Sequence, residues 1–306
     1  MDRDFFKSIK IMDGGMGQLL LEKGMISKGT LWSAGALVDE KYHDLLIDCH
    51  LSYINSGADV IVTNTFSCRK FRLKENNIED KFKFLNKKAC ELAIHAKQIS
   101  KKNVLIAGSL PSQRDTYVSD LRSDFEIKND ITEQSEILSE YVDFFYLDVV
   151  SSIKEIKIAS KIANDLKKNV VVGVHTKKDG KLPSGESLKK LLNSGINENC
   201  IGIIFACVSP EIAEKSIKLI NECEIPFGVK INLWKIEEPT PIKTFNTAKP
   251  QEIGTNPNIS FGKRDDITNK VFYEFSKKIM GMGATILGGC CETTPRHIKE
   301  ISKLKQ

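Results

Sequence analysis

The chain is predicted to fold as a closed parallel (β/α)8 barrel. Eight short apolar runs alternate with helical patterns along its length. These runs are apolar throughout, as strands must be when one face meets a barrel interior and the other a ring of helices. An open doubly wound sheet would need a glycine-rich phosphate fingerprint or a switch point, and the sequence has neither. At 306 residues the length suits one barrel, since such domains commonly exceed ~250 residues. Residues 1–306 are therefore read as one domain, with an irregular excursion at about 235–262.

The first strand is expected at residues 9–12, followed at once by Asp13-Gly14-Gly15-Met16-Gly17. A carboxylate and three glycines after a strand make either a tight turn or a loop whose backbone can come very close to a ligand. Residues 40–56 carry Tyr42, Leu45, Leu46, Cys49 and Tyr53 at helical spacing, and Gly57 ends that helix. Strand 58–62 leaves Thr63-Asn64-Thr65-Phe66 at its exit. A helix over 78–101 and a strand over 104–107 exiting at Gly108-Ser109 come next. Residues 111–129 are polar and unpatterned, as substrate loops often are.

A helix over 131–141 leads into strand 144–147, which ends on Asp148. Ser151 or Ser152 can cap the helix that runs to 166. Strand 170–174 exits at His175-Thr176. Helix 186–192, strand 201–205, the exit Ala206-Cys207-Val208-Ser209-Pro210 and helix 211–223 form the sixth unit. Strand 226–231 ends at Asn232. Prolines at 239, 241, 250 and 257 then break the rhythm. Helix 265–280 restores it, and strand 284–287 is expected to stop at Gly288-Gly289. Cys290-Cys291 follow, and Pro295 opens a last helix to 304, where proline suits the first turn.

Charge and cysteine usage narrow the class. With 45 basic and 40 acidic residues the net charge is only +5, and the lysines are interspersed with Glu and Asn on helix-like segments. They read as solvated faces, and no nucleic-acid partner is expected. No apolar run approaches the ~20 residues of a membrane span, and no secretory leader is visible. The eight cysteines of so long a chain are expected as reduced thiols in a cytoplasmic protein. Nothing in the sequence assigns an oligomeric state.

In a barrel all strand exits converge on one face, which carries the active site. Cys207, Cys290 and Cys291 fall there, from two different strands. Taken alone, the adjacent cysteines are either small buried residues beside a Gly-Gly turn or a metal grip. Three convergent thiolates repel one another and would stay protonated without a cation. A zinc ion relieves this and keeps one coordination position open, as catalytic zinc sites do. Such an ion can bind an incoming thiol as thiolate near neutral pH. Thr293 or the Gly288 and Gly289 amides are candidate hydrogen-bond donors to the sulfurs.

Five stretches then carry a family resemblance. Asp13-Gly14-Gly15-Met16-Gly17, Leu31-Trp32-Ser33-Ala34, Gly57 through Phe66, Cys207-Val208-Ser209-Pro210 and Gly288-Gly289-Cys290-Cys291-Glu292-Thr293-Thr294-Pro295-Arg296-His297-Ile298 resemble, in order, the homocysteine S-methyltransferase family. The resemblance covers nearly the whole chain, and its last block is the specific one. It implies a barrel that binds Zn2+ through Cys207, Cys290 and Cys291 and methylates homocysteine to methionine from a sulfonium or quaternary ammonium donor. It also implies that Asp13, Gly14 and Gly15 lie beside the amino-acid end of homocysteine and that Asp148 helps hold its amino group. From chemistry alone Asp148 is either an ammonium partner or a helix-capping acid. Asn64 and Thr65 are expected to orient substrate or line the donor pocket. Trp32, Phe66 and Tyr146 are either packing residues or a cradle for a cationic methyl group.

The chain departs from the family pattern at Val149, Ala206 and Leu233-Trp234, where threonine, asparagine and a Ser-Gly pair are usual. Those departures keep two alternatives in view: another thiol acceptor, or a zinc-bearing homologue that serves as a binding or regulatory protein.

Overall fold

In the computed structural model, which describes residues 2–196, 199–220 and 223–305, eight strands run parallel in one sheet. They are β1 (Lys10–Ile11), β2 (Val60–Val62), β3 (Leu105–Pro111), β4 (Phe144–Val150), β5 (Val170–Val174), β6 (Cys200–Val208), β7 (Phe227–Ile231) and β8 (Ile286–Gly289). The order is β1-β8-β7-β6-β5-β4-β3-β2. A Met12–Val60 bridge joins the two ends, flanked by Asp59 N to Ile11 O at 2.7 Å and Asp13 N to Val60 O at 3.0 Å. The (β/α)8 barrel expected from the pattern is the fold.

Two apolar layers hold it. One fills the barrel interior with Met12, Val60, Ala107, Phe144, Tyr146, Val171, Ile204 and Ile286. The other lies between the strands and the helices and takes in the alternate residues, such as Ile61, Phe145, Leu147, Val172 and Val229. At the N-terminal end, the short 3-10 helix Arg3–Lys7 presses a fully buried Phe6 edge-on against Phe144, 6.0 Å between ring centres. That hydrophobic plug closes the end of the barrel away from the strand exits.

Several elements differ from the sequence expectation. The strands overrun their apolar runs, because ladder hydrogen bonds continue through polar and small residues. Ser109, Asp148 and Cys207 therefore lie inside β3, β4 and β6, and Gly288 and Gly289 are strand residues. The helix expected over 131–141 spans Asp124–Ser139, started by a capping box between Ser123 and Glu126. Ser152, not Ser151, caps Ile153–Asp165. Helices Met16–Glu22 and Lys70–Glu75 stand where no helix was expected. The helix expected over 211–223 spans Pro210–Lys218, and residues 221–222 lie outside the described residues. The excursion is partly ordered, as the 3-10 turn Ile242–Thr244 and helix Pro257–Phe261.

Candidate metal centre and substrate cavity

Cys207, Cys290 and Cys291 converge at the strand exits. Their sulfurs all lie within 4.8 Å of one another, with Cys207 to Cys291 at 3.8 Å and Cys290 to Cys291 at 4.0 Å. Sulfurs at tetrahedral corners around an ion with bonds of about 2.3 Å would be separated by ~3.8 Å. The donor set and its spacing thus fit a thiophilic divalent ion.

A β-bulge is what aims Cys207. Strand alternation sends Ala206 inward and would send residue 207 outward. The register shifts between Ala206 and Val208, and Cys207 takes a left-handed φ of 54°, so both residues face the interior. The same device operates on β4, where a shift between Leu147 and Val150 and a φ of 60° at Val149 bring Asp148 and Val149 together into the cavity wall.

The cysteine pair is set by glycine packing. Gly14 and Gly15 run under the turn after β8, and a Cβ on Gly15 would lie 2.6 Å from the Cys290 carbonyl oxygen. Gly15 N donates to Thr293 O and Oγ1, both at 3.1 Å, and Tyr53 Oη donates to Thr293 O at 3.1 Å. Thr293 Oγ1 donates to Cys290 O at 2.6 Å, and Gly289 N donates to Asp13 O. Thr293 Oγ1 and the Gly289 amide, two of the donors expected for the sulfurs, are thus spent on backbone. Two other side chains reach Cys207: the Tyr117 hydroxyl at 3.2 Å and Asn232 Nδ2, which donates to Cys207 O at 2.7 Å and lies 3.9 Å from the sulfur.

The three thiols pull one another in opposite directions. Burial works against a thiolate at Cys207, but hydrogen bonds from Cys290, Cys291 and Tyr117 hold it well below the usual thiol range. Hydrogen bonding to Cys207, with burial, holds Cys290 and Cys291 well above that range. A divalent ion held by these residues would supply the charge that lets all three ionise.

The cysteines form one corner of a cavity of ≈ 130 Å³ whose walls include Asp13, Gly14, Gly15, Asn64, Asp148 and Lys230. Asn64 also donates to Ser33 O at 2.9 Å. Thr65 is fully buried outside this lining, its hydroxyl donating to Ser109 O at 2.8 Å and lying 2.9 Å from that of Thr63. Burial pushes the Asp148 carboxyl up to about 6, against a hydrogen bond from Ser109 at 2.7 Å.

Asp13 is paired with Lys230, Nζ to Oδ1 2.5 Å. Burial raises the Asp13 carboxyl pKa, restrained by the lysine's charge. Burial also opposes charge on Lys230, but Asp13 outweighs it and raises the ammonium's pKa.

Trp32 and Phe66 line the cavity, as do Trp234, expected only as a departure from the family pattern, and Tyr117, Phe245 and Phe261, three aromatics that the sequence did not single out. Trp234 and Phe245 both pack edge-on against Phe261, with ring centres 4.7 and 4.6 Å apart, so the excursion supplies an aromatic roof. Tyr146 is buried in the barrel interior, outside the lining. Among the described residues no helix is long and apolar enough to cross a membrane.

Comparison with known proteins agrees with this architecture. The chain is 24% identical to S-methylmethionine--homocysteine S-methyltransferase BHMT2 of Pongo abelii, over 96% of this chain and 77% of that protein. It is 25% identical to betaine--homocysteine S-methyltransferase 1 of Bos taurus (96% and 71%) and 26% identical to homocysteine S-methyltransferase 1 of Arabidopsis thaliana (96% and 92%). The homocysteine methyltransferase MmuM of Escherichia coli, solved in a metallated form, shares the fold with a TM-score of 0.77 at 18% identity, over 97% of this chain and 96% of that one. The family described as homocysteine S-methyltransferase matches residues 10–304, and the chain belongs to that family.

Proposed function

We propose that this protein is a zinc-dependent homocysteine S-methyltransferase that moves a methyl group from a sulfonium or quaternary ammonium donor to homocysteine, giving methionine. One observation carries the reading: three cysteine sulfurs at metal-ligand spacing open into a cavity roofed by aromatic rings and containing the carboxylate of Asp148. Zinc held by Cys207, Cys290 and Cys291 would lower the pKa of an incoming thiol and keep it as thiolate at neutral pH. The chain's own residues do the rest.

Asp148 receives the ammonium of the acceptor, and the turn of Asp13, Gly14 and Gly15 shapes the space around its amino-acid end. Asn64 lines the same space, while Thr65 stiffens the loop that carries it. The faces of Trp32, Phe66, Trp234, Phe245 and Phe261 hold the cationic donor by cation–π attraction and exclude water. The methyl carbon passes from the onium centre to the thiolate. Its new C–S bond takes a thiolate electron pair, and the donor departs as a neutral thioether or tertiary amine. No proton moves in that step, so no general base is required.

Val149 and Trp234, two of the departures from the family pattern, line the wall and roof of the cavity and leave the cysteine corner open, which supports a catalytic protein over a binding homologue. All eight cysteines are free thiols, which supports a reducing compartment, the cytoplasm.

The test is to incubate the zinc-loaded protein with homocysteine and, in turn, S-methylmethionine, S-adenosylmethionine, dimethylsulfoniopropionate and glycine betaine. Methionine is expected with at least one donor, and none with any donor sinks the reading. Metal analysis of the wild type and Cys291→Ser tests the site: about one zinc per chain is expected in the former and far less in the latter.

A further inference from the structure

The cavity lining contains one cation, Lys230, and two carboxylates, Asp13 and Asp148. A lysine inside a barrel is costly to bury and needs a reason. Lys230 sits on β7 opposite Gly288 of β8. A Cβ on Gly288 would lie 3.2 Å from Lys230 Cγ and 2.9 Å from Met12 Cβ, so the glycine is the gap through which the lysine stem crosses β8 to reach Asp13 beyond β1.

Its ammonium donates to Asp13 Oδ1 at 2.5 Å and Asp13 O at 3.2 Å. An ammonium has three donors, and no further acceptor is recorded for the third among the described residues. The Tyr146 ring lies 5.9 Å from Nζ, at the edge of cation–π range. Asp13 is satisfied on its other oxygen by Val62 N at 2.7 Å, so it needs no ligand. Among the charged side chains of the lining, Asp13, Asp148 and the cysteine corner are negative or acidic, and Lys230 is the one that attracts a substrate carboxylate.

We infer that Lys230 anchors the carboxylate of the thiol acceptor and makes the site selective for acceptors that carry one. The inference rests on the methyltransferase reading of the cavity and names how it recognises its acceptor. Position favours the acceptor over the donor. Gly288 lies on β8 two residues before Cys290, which follows the strand, and Lys230 two before Asn232, which bonds to Cys207. Two strand residues span about 6.6 Å, a match for the reach from a thiol through two methylenes and Cα to a carboxylate. The donor's aromatic roof lies on the excursion instead. An acceptor so held places its sulfur at the cysteines, its ammonium at Asp148 and its carboxylate at Lys230.

Calorimetric titration of the zinc-loaded protein tests this independently of turnover. The probes are homocysteine, 4-mercaptobutanoate, which lacks the ammonium, and 3-aminopropane-1-thiol, which lacks the carboxylate. In the wild type, 3-aminopropane-1-thiol should bind ~10–100-fold more weakly than homocysteine, the worth of one charge-assisted pair. Lys230→Met, and Lys230→Met with Asp13→Asn to keep the buried pair neutral, should weaken homocysteine and 4-mercaptobutanoate by a similar factor and leave 3-aminopropane-1-thiol unchanged.

Equal wild-type affinity for homocysteine and 3-aminopropane-1-thiol overturns the inference whether or not the variants fold. So does equal weakening of all three thiols, or a loss that follows glycine betaine and spares homocysteine. Failure of homocysteine to bind the wild type at all defeats the methyltransferase reading and this inference with it. Homocysteine binding that ignores the carboxylate defeats only the latter.

Discussion

The Tyr117 hydroxyl stands 3.2 Å from the Cys207 sulfur, and its ring rests on that of His175 with centres 4.7 Å apart. His175 is itself buried, with Nδ1 3.2 Å from Ala206 O. The phenol is thus held by packing at the edge of the cysteine corner. A phenol that donates to a metal-bound thiolate spreads that sulfur's charge and fixes its direction. Tyr117→Phe should weaken zinc binding ~10-fold, read by competition with a chromogenic chelator. An unchanged zinc affinity would show that the hydroxyl does no work at the metal.

Asp115 ties the cavity's roof to its wall. Its Oδ1 accepts from Thr116 N at 2.9 Å and Ile242 N at 3.2 Å and lies 3.7 Å from Arg72 Nη2. Thr116 and Ile242 both line the cavity. Beside this group is the fully buried Arg69, which holds the same loop through Ser112 O at 2.7 Å and Arg114 O at 2.9 Å. Burial and the neighbouring Arg72 push the Arg69 guanidinium down to about 9. Asp115→Ala removes one of the two carboxylates beside this cationic pair, leaving Glu75 2.6 Å from Arg72 Nη1, and should cost ~1–3 kcal/mol in urea unfolding, with a raised donor KM as the roof loosens. Asp115→Asn keeps the acceptor and should cost less. An alanine variant within ~0.5 kcal/mol of wild type would remove the electrostatic argument.

The barrel and the cysteine pair were legible because both depend on local pattern. Strand-length apolar runs repeat along the chain, and Gly288-Gly289-Cys290-Cys291 is a contiguous signal. What stayed hidden depends on register or on distant contacts. The bulges at Val149 and Cys207 leave no mark in composition, yet they decide which side chains face the cavity. Lys230 stands in a run read simply as a strand, and its partner Asp13 is 217 residues away. Tyr117, Trp234, Phe245 and Phe261 lie in stretches without periodicity, so nothing local pointed them inward. One signal was available and missed: Ser123 and Glu126 have capping-box spacing, which dates the start of helix Asp124–Ser139. Thr65 shows the converse, a polar residue at a strand exit that bonds to its neighbours.

His50 gives a pH dependence whose sign can be worked out. It is fully buried on helix His43–Asn55, with neither ring nitrogen partnered among the described residues, and burial lowers its pKa from the ordinary 6.5 to about 4. The unfolded chain takes up the proton first as pH falls. The neutral histidine's contribution is therefore fully present above pH 6.5 and is lost as pH drops toward about 4. Over that window the loss is on the order of 3 kcal/mol. Urea unfolding with a chelator present, which removes metal release from the comparison, should show the wild type losing more stability than His50→Leu between about pH 7.5 and about pH 4.5. Parallel losses in the two proteins would mean that another group controls the acid limb.

Gly17 sits in the first turn of helix Met16–Glu22, against the indole of Trp32. A Cβ at Gly17 would lie 2.6 Å from Trp32 Cε2 and 2.7 Å from Cδ1, with the indole nitrogen closer still. Trp32 has little freedom to yield, since its backbone is already left-handed at φ 51°, a costly state for an aromatic residue. Propensity alone says that Gly17→Ala should stabilise the helix by ~1 kcal/mol. Overpacking costs ~1–3 kcal/mol, so the clash should win and the indole should leave the cavity wall. Because Trp32 belongs to the cation-binding side, the donor KM should rise about 3–30-fold, the worth of one cation–π contact, while homocysteine affinity stays constant. A more stable Gly17→Ala protein with an unchanged donor KM would show that the indole moves aside freely and that Trp32 takes no part in holding the donor.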